Sequence, residues 1–291
     1  MPISPRAQKI SANAVDFINK NLLPSGTTAT LKKISSQTNV YKIDLEIDGN
    51  GTIVYVSKDG KLLFLGGYDL TETAIPENGQ ESQTPPPTSV KPDVKLFVMS
   101  YCPFGLQAEK AYLPVYELLK DRADLGIYFI NYAMHGKQEI DENLKQYCIQ
   151  KEQNSKFSQY LSCFVKSGVS ASCLTTAQID QQKMNSCVSK TDNEFNITSL
   201  YNDQSSWVNG QYPQFNIHKA LNDQYGVQGS PTLIINGVEI TLKQRSPEAL
   251  KSIVCQAFET KPAECDQKLS ETVVGSGFGE GTGNSSGGAC E

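Results

Sequence analysis

In the stretch FVMSYCPFGLQAEKAYLPVYELL, Phe97 to Leu119, one cysteine, Cys102, separates an apolar strand-like run from a helix-like one. A thiol at the first turn of a helix faces unpaired amides and the positive end of the helix, which favour the thiolate and make the sulfur nucleophilic. The run Cys102-Pro103-Phe104-Gly105 departs from a dithiol motif, because glycine stands three residues on, where a second thiol would resolve a mixed disulfide. Gly105 cannot do so. Resolution then falls to an outside thiol, or to the substrate's own thiol as in isomerisation; the alternative is a module that binds peptides without redox turnover. A second candidate cluster, GSPT at Gly229 to Thr232, immediately precedes a strand-like run. It makes Pro231 a candidate cis peptide beside the thiol, flanked by Ser230 and Thr232.

The chain has eight cysteines, an even set. No pair has C-x-x-C spacing, and only His135 and His218 offer imidazole, which argues against a metal site. Disulfides formed in an oxidising compartment fit such a set; scattered buried thiols in a cytosolic protein are the alternative. Cys148, Cys163, Cys173 and Cys187 share one helical stretch and are expected to pair among themselves. Cys255 and Cys265 flank a helix end and a proline-containing turn and are expected to close that loop. Cys102 and Cys290 remain. A Gly/Ser-rich tail gives Cys290 the reach of a candidate resolving thiol, the alternative being a stray terminal thiol.

With 291 residues, 38% of them hydrophobic, the chain can bury one large core or two smaller ones. A net charge of -5 without a Lys/Arg cluster sets nucleic acid aside. No apolar run reaches the roughly 18 to 20 residues of a membrane helix, and the opening MPISPRAQKI lacks the apolar centre of a secretory signal. An extracytoplasmic protein, periplasmic, secreted or membrane-anchored, whose targeting segment is not in this sequence is the expectation.

Helical spacing of Ile10, Ala14, Phe17, Ile18 and Leu22 precedes strict alternation at Tyr41, Ile43, Leu45 and Ile47, with turn sequences DGNG and KDGK. Residues 1–74 therefore read as a helix on an antiparallel sheet. The proline-rich run within 75–93 reads as a linker. Residues 94–265 read as a strand (Lys95 to Ser100), a helix (Leu106 to Leu119), a strand (Ile127 to Ala133), a helical insertion over about 137–210, a helix (Phe215 to Gln224), the hairpin SPTLIINGVEI and a last helix (Pro247 to Phe258). Residues 266–291 read as flexible by composition.

That order is the order of a thioredoxin fold with an inserted helical subdomain, α/β in class, behind a small α+β unit. SYCPFG and GSPTLIING resemble the thioredoxin-like thiol oxidoreductases. YAMHGKQEIDENLKQYC is similar in register to the signature of the gamma-interferon-inducible lysosomal thiol reductases: His135, Gly136, Glu139, Asn143 and Cys148 match, while Ala133 and Ile140 replace two signature cysteines. The resemblance covers roughly residues 95 to 258. It implies Cys102 as nucleophile, Pro231 as the shaper of a peptide groove, and Pro103, Phe104, Gly105, Ser230 and Thr232 as support. At His135 and Gly136 it implies a turn more than catalysis. The helix-and-sheet unit is more faintly similar to the N-terminal domain of periplasmic disulfide isomerases, which implies a homodimer; a docking or spacer unit is the alternative. Trp207, Tyr212 and Phe215 line the groove or belong to the core, and Asn196 and Asn284 fit a short glycosylation pattern. The expected activity is thiol-disulfide exchange or isomerisation on disulfide-containing proteins or small thiols, with no cofactor beyond an external thiol or dithiol reductant.

Overall fold

The computed structural model describes residues 4–23, 27–47, 50–64, 85–281 and 290. The chain divides into two compact units, residues 1–81 and 82–291. Much of the stretch read as a linker, and Asn284, lie outside the described residues.

In the first unit, α1 (Pro5–Asn21) starts at Ser4, whose hydroxyl accepts from the Ala7 N–H, with Pro5 in the first turn. This is a cap that satisfies an orphan amide and a residue preset for helix. Strands β1 (Ala29–Ser36), β2 (Val40–Ile47), β3 (Asn50–Ser57) and β4 (Leu63–Phe64) follow in sheet order β1-β2-β3-β4, all antiparallel. Register places Tyr41 opposite Val56 and Ile43 opposite Val54. These side chains share one face and bury it against Ala7, Ala14 and Ile18 of α1. Alternation of period two is what lets one face be dry.

The second unit is a thioredoxin fold with a helical insertion. Its sheet runs β6-β5-β7-β8. β5 (Asp93–Val98) pairs parallel with β6 (Asp124–Phe129) and antiparallel with β7 (Thr232–Ile235), which pairs antiparallel with β8 (Val238–Glu239). Helix α2 (Pro103–Leu119) crosses between β5 and β6, and five helices follow: α3 (Lys137–Glu152), α4 (Asn154–Ser167), α5 (Ser170–Thr176), α6 (Gln181–Phe195) and α7 (Ile197–Asn202). The fold closes with α8 (Lys219–Tyr225), the β7-β8 hairpin and α9 (Pro247–Gln256).

The insertion shares the core of the fold. Phe157, Tyr160, Phe164, Met184 and Ile197 from α4, α6 and α7 pack in one cluster with Val98, Leu106 and Val115. These helices do not close a core among themselves alone. Their apolar faces are instead completed by α2 and β5, which only the tertiary arrangement brings near.

Several boundaries differ from the spacing-based reading, among them the start of α8 at Lys219 and the end of α9 at Gln256, and three of them bear on the site. α2 begins at Pro103, three residues early, because Cys102 caps it and proline suits a first helical turn. β5 stops at Val98, since the chain turns sharply there, with the Cys102 N–H bonded to Met99 O at 3.0 Å. β6 stops at Phe129; the next residues pair with a returning segment, through Phe215 N–H to Asn131 O at 2.8 Å and Ala133 N–H to Pro213 O at 3.0 Å. No helix among the described residues is long and apolar enough to cross a membrane.

Candidate active site

Cys102 is the N-cap residue of α2, and its Sγ accepts from the Gly105 N–H at 3.4 Å. That amide is one of the donors a helix start leaves unpaired, so the sulfur sits where negative charge is stabilised. The side chain is fully buried and forms a disulfide with Cys290, 188 residues further along the chain.

The residue that carries the partner thiol is bound through its backbone to Ser230. Ser230 N–H donates to Cys290 O at 2.9 Å and Cys290 N–H to Ser230 O at 2.8 Å, an antiparallel bridge. The Ser230–Pro231 peptide is cis. Ser230 O lies 3.4 Å from Cys102 Sγ, so one carbonyl touches Cys102 and also receives the amide of its disulfide partner. Thr232 Oγ1 donates to Gly229 O at 2.8 Å and ties the loop to the start of β7. The pair sits in an apolar cluster of Phe97, Met99, Ile130, Val227 and Ile234, with Phe104 and Met134 at its margin.

The geometry explains the glycine. Ser230 Oγ accepts from the Met99 N–H at 2.9 Å, and a Cβ placed on Gly105 would lie 2.6 Å from that oxygen and 3.1 Å from Met99 O. The space in which a second thiol of the motif would stand is filled by Ser230.

Helix α3 holds the turn before Cys102. Glu139 is fully buried; its Oε1 accepts from the Met134 N–H at 2.8 Å, and its Oε2 accepts from the Tyr101 N–H at 3.2 Å and contacts His135 Nδ1 at 2.6 Å. One turn on, Asn143 Oδ1 accepts from the Ser100 N–H at 3.2 Å. The hydrogen bond to Glu139 raises the His135 pKa from its ordinary value, against the opposing effect of burial. Glu139 and Asn143 were legible only as matches in a spacing pattern; that they bracket the active loop was not. On α2, Glu109 is fully buried with neither carboxylate oxygen hydrogen-bonded, and burial, then the charge of Glu142, push its pKa well up. It lies seven residues from Cys102, about 10 Å along the axis, too far for direct proton transfer to the sulfur.

The chain after α9 is tied down on the way to Cys290. Val274 N–H donates to Arg245 O at 3.1 Å, Gln107 Nε2 to Val274 O at 2.6 Å, and Gly277 N–H to Pro103 O at 2.8 Å. Lys110 Nζ donates to Gly277 O and Gly279 O at 2.8 and 3.0 Å. The Phe278 ring packs edge-on against Tyr101 and Phe164, with centroids 5.7 and 5.4 Å away. Composition alone marked residues 266–291 as flexible; backbone hydrogen bonds to α2, α4 and the α9 entry hold Val274, Gly277 and Gly279 near the turn at Cys102. The Arg245 guanidinium lies 6.0 Å from the Phe104 ring centroid and donates to Gln107 Oε1 at 3.1 Å.

The remaining cysteines bond as Cys148–Cys187, Cys163–Cys173 and Cys255–Cys265. Phe215 is fully buried against Phe129, and Trp207 Nε1 donates to Tyr201 O at 3.1 Å, so both belong to packing within the unit. Tyr212 stacks on Tyr132, which borders the cluster around Cys102. His218 is core: its Nδ1 accepts from the Phe129 N–H at 3.0 Å, and burial lowers its pKa to about 4. Asn196 ends α6 in the left-handed conformation. Among the described residues no three His, Cys, Asp or Glu side chains converge as a metal site.

No family model matches this chain, and no curated protein matches it. Solved structures that resemble it include the reduced disulfide bond oxidoreductase DsbG of Mycobacterium tuberculosis, at 14% identity over 63% of this chain and 88% of that one, TM-score 0.43. Oxidised BdbD of Bacillus subtilis is 18% identical over 63% of this chain and 93% of its own, TM-score 0.37. DsbA of Pseudomonas aeruginosa is 19% identical over 57% and 83%, TM-score 0.35.

Proposed function

We propose that this protein is a thiol-disulfide oxidoreductase in which Cys102 and Cys290 form the redox pair. The observation that carries the reading is the Cys102–Cys290 bond at the capped start of α2, with Cys290 bridged through its backbone to Ser230. It replaces the expectation of a single active-site cysteine, because the second thiol comes from the far end of the chain. In the reduced protein the Cys102 thiolate attacks a substrate disulfide, forming a mixed disulfide and expelling one substrate thiolate. Cys290 thiolate then attacks Cys102 Sγ, so the Cys102–Cys290 bond forms and the second substrate thiolate leaves. Two electrons pass to the substrate, and sulfur carries both, so no further cofactor enters. An external thiol or dithiol returns the pair to the reduced state, and the poise of that partner sets the direction of net flow.

Disulfide-containing proteins are the substrates that suit a strand edge at Ser230, since an extended chain would make the two backbone hydrogen bonds that Cys290 makes. Chemistry of this kind, with three further disulfides, fits an extracytoplasmic setting. The register of His135, Gly136, Glu139, Asn143 and Cys148 is the sequence likeness to the gamma-interferon-inducible lysosomal thiol reductases that accords with it. A homodimer built through the N-terminal unit, residues 1–74, completes the proposal, and sedimentation of the full chain against a chain lacking them tests it.

The test of function is insulin reduction by the pre-reduced protein. Cys102→Ser abolishes turnover, while Cys290→Ser accumulates a mixed disulfide on Cys102. Full activity in Cys102→Ser would remove Cys102 from the mechanism and leave the site a peptide-binding groove.

A further inference from the structure

Where α2, α3 and α4 meet lies a buried polar layer that the redox chemistry above does not use. Glu109 of α2 is fully buried, and neither of its carboxylate oxygens has a hydrogen-bond or ion-pair partner among the described residues. The carboxylate whose charge bears on it is Glu142 of α3, also buried. Glu142 Oε1 accepts from Tyr160 OH at 2.6 Å and from Gln146 Nε2 at 3.0 Å, while its Oε2 and Gln146 Oε1 have no hydrogen bond. The other titratable groups around Glu142 are Lys145, Tyr160 on α4, Tyr101 on the turn before Cys102, and Glu139 with His135. Lys145 Nζ is 3.8 Å from Glu142 Oε2, and His135 sits on Glu139, so each cation already has a carboxylate. None is left for Glu109. A buried carboxylate with no partner is too costly to keep ionised, and a proton is what remains to neutralise it.

Glu142 lies on α3 between Glu139 and Asn143, whose oxygens take the Tyr101 and Ser100 amides. A displacement of Glu142 therefore reaches that clasp within one helical turn. Resting on the redox reading above for what the turn does, we propose that Glu109 is a neutral acid and a positioning residue: with its proton in place α3 seats on the turn before Cys102, and without it the clasp slackens. Release of the proton to solvent sets two like carboxylates against each other inside the fold, where their repulsion is several times what it would be at the surface. Relief comes by moving α3 away from α2, and the residues that hold Ser100 and Tyr101 move with it. Glu109 acts through Glu142 and α3 and does not touch the sulfur. The consequence is a catalytic turn that is held firmly at low and neutral pH and loosely in alkali.

The test is urea unfolding of the oxidised full-length protein and of Glu109→Gln across pH 5 to 9, followed by Trp207, the single tryptophan and a residue of the second unit. A carboxyl group whose pKa is raised by folding stabilises fully below its unfolded value, and that stability is lost as pH rises toward the folded one. The folding constant of Glu109→Gln relative to wild type therefore climbs about tenfold per pH unit above the ordinary carboxyl range. Glu109→Leu, which also cannot ionise, repeats the slope should the amide variant not fold. Amide hydrogen exchange, corrected for the intrinsic rate, reads the clasp: protection at Ser100 and Tyr101 falls over the same pH range in wild type and stays level in the variant. A folding-constant ratio that does not change with pH overturns the neutral acid. A climbing ratio with level protection in wild type overturns the positioning role. Both signatures in a protein that never reduces insulin would sink the redox reading and leave this one standing.

Discussion

Gly105 is the residue on which the chemistry of the motif turns. A thiol restored there would not rebuild a C-x-x-C pair, because Ser230 Oγ and its bond to the Met99 N–H already occupy the place. Gly105→Cys is expected to destabilise the oxidised protein by about 1–3 kcal/mol in urea unfolding, the usual cost of overpacking a tight site. Ser230→Ala removes the clashing oxygen, so the double variant should lose less than the two single losses combined. Strict additivity would mean the two residues do not compete for space. The histidines give opposite pH signatures. His218 has its folded pKa lowered to about 4 from 6.5, so its unfolded form binds the proton first. Stability present above pH 6.5 is lost as pH falls toward 4, by on the order of 3 kcal/mol. His135 has its folded pKa raised, so its contribution is full at low pH and is lost as pH rises through the folded value. Urea midpoints from pH 4 to 8 check this: His218→Phe should flatten the acid limb and His135→Gln should not.

At the scale of elements, two devices position the pair. The first turns of α3 hold the Ser100–Tyr101 turn through Asn143 and Glu139. The segment at Gly277 to Gly279 is held by Lys110 and by the Phe278 ring between Tyr101 and Phe164. From Gly279 to Cys290 is eleven residues; from Val274, held by Arg245 O and Gln107, it is sixteen. Effective concentration falls roughly as the −3/2 power of the tether, so moving the anchor back to Val274 costs about 2-fold in closure of the pair. Phe278→Ala should lower the Cys102–Cys290 equilibrium constant against glutathione by that factor, with recovery in Phe278→Tyr. An unchanged constant would show that the ring does not hold the tail.

For the whole molecule, each unit has its own core: Ile43, Leu45 and Val54 under α1 in one, and the shared cluster of sheet and insertion in the other. A chain of residues 85–291 is therefore expected to fold alone and keep the Cys102–Cys290 equilibrium of the full protein. A large change in that equilibrium would make the first unit part of the redox machinery. Within the second unit, Cys163–Cys173 and Cys255–Cys265 each span ten residues, short loops that restrict the unfolded chain less than Cys102–Cys290, which spans 188. Opening the redox pair removes the longest of these constraints. The reduced protein should consequently melt at a lower temperature than the oxidised one even with the other three bonds intact.

Local signals in the sequence determined much of this protein. The thiol at a strand-helix junction, the alternation from Tyr41 to Ile47, the GSPT run before a strand and the helical texture of the insertion all depend on neighbours a few residues apart, and periodicity reports such neighbours. Apolar spacing set the start of α2 at Leu106, three residues late, because the first turn at Pro103 is fixed by the Cys102 cap and not by periodicity. Tertiary structure alone decided that Ser230 fills the place of a second thiol, that Glu139 and Asn143 clasp the turn before Cys102, and that the last cysteine meets the first through a backbone bridge to Ser230, beside Pro231. Those contacts join residues tens to nearly two hundred positions apart. They exist because burying the helices of the insertion against α2 and β5 closes the intervening loops, and no local pattern encodes which distant groups that closure brings into contact.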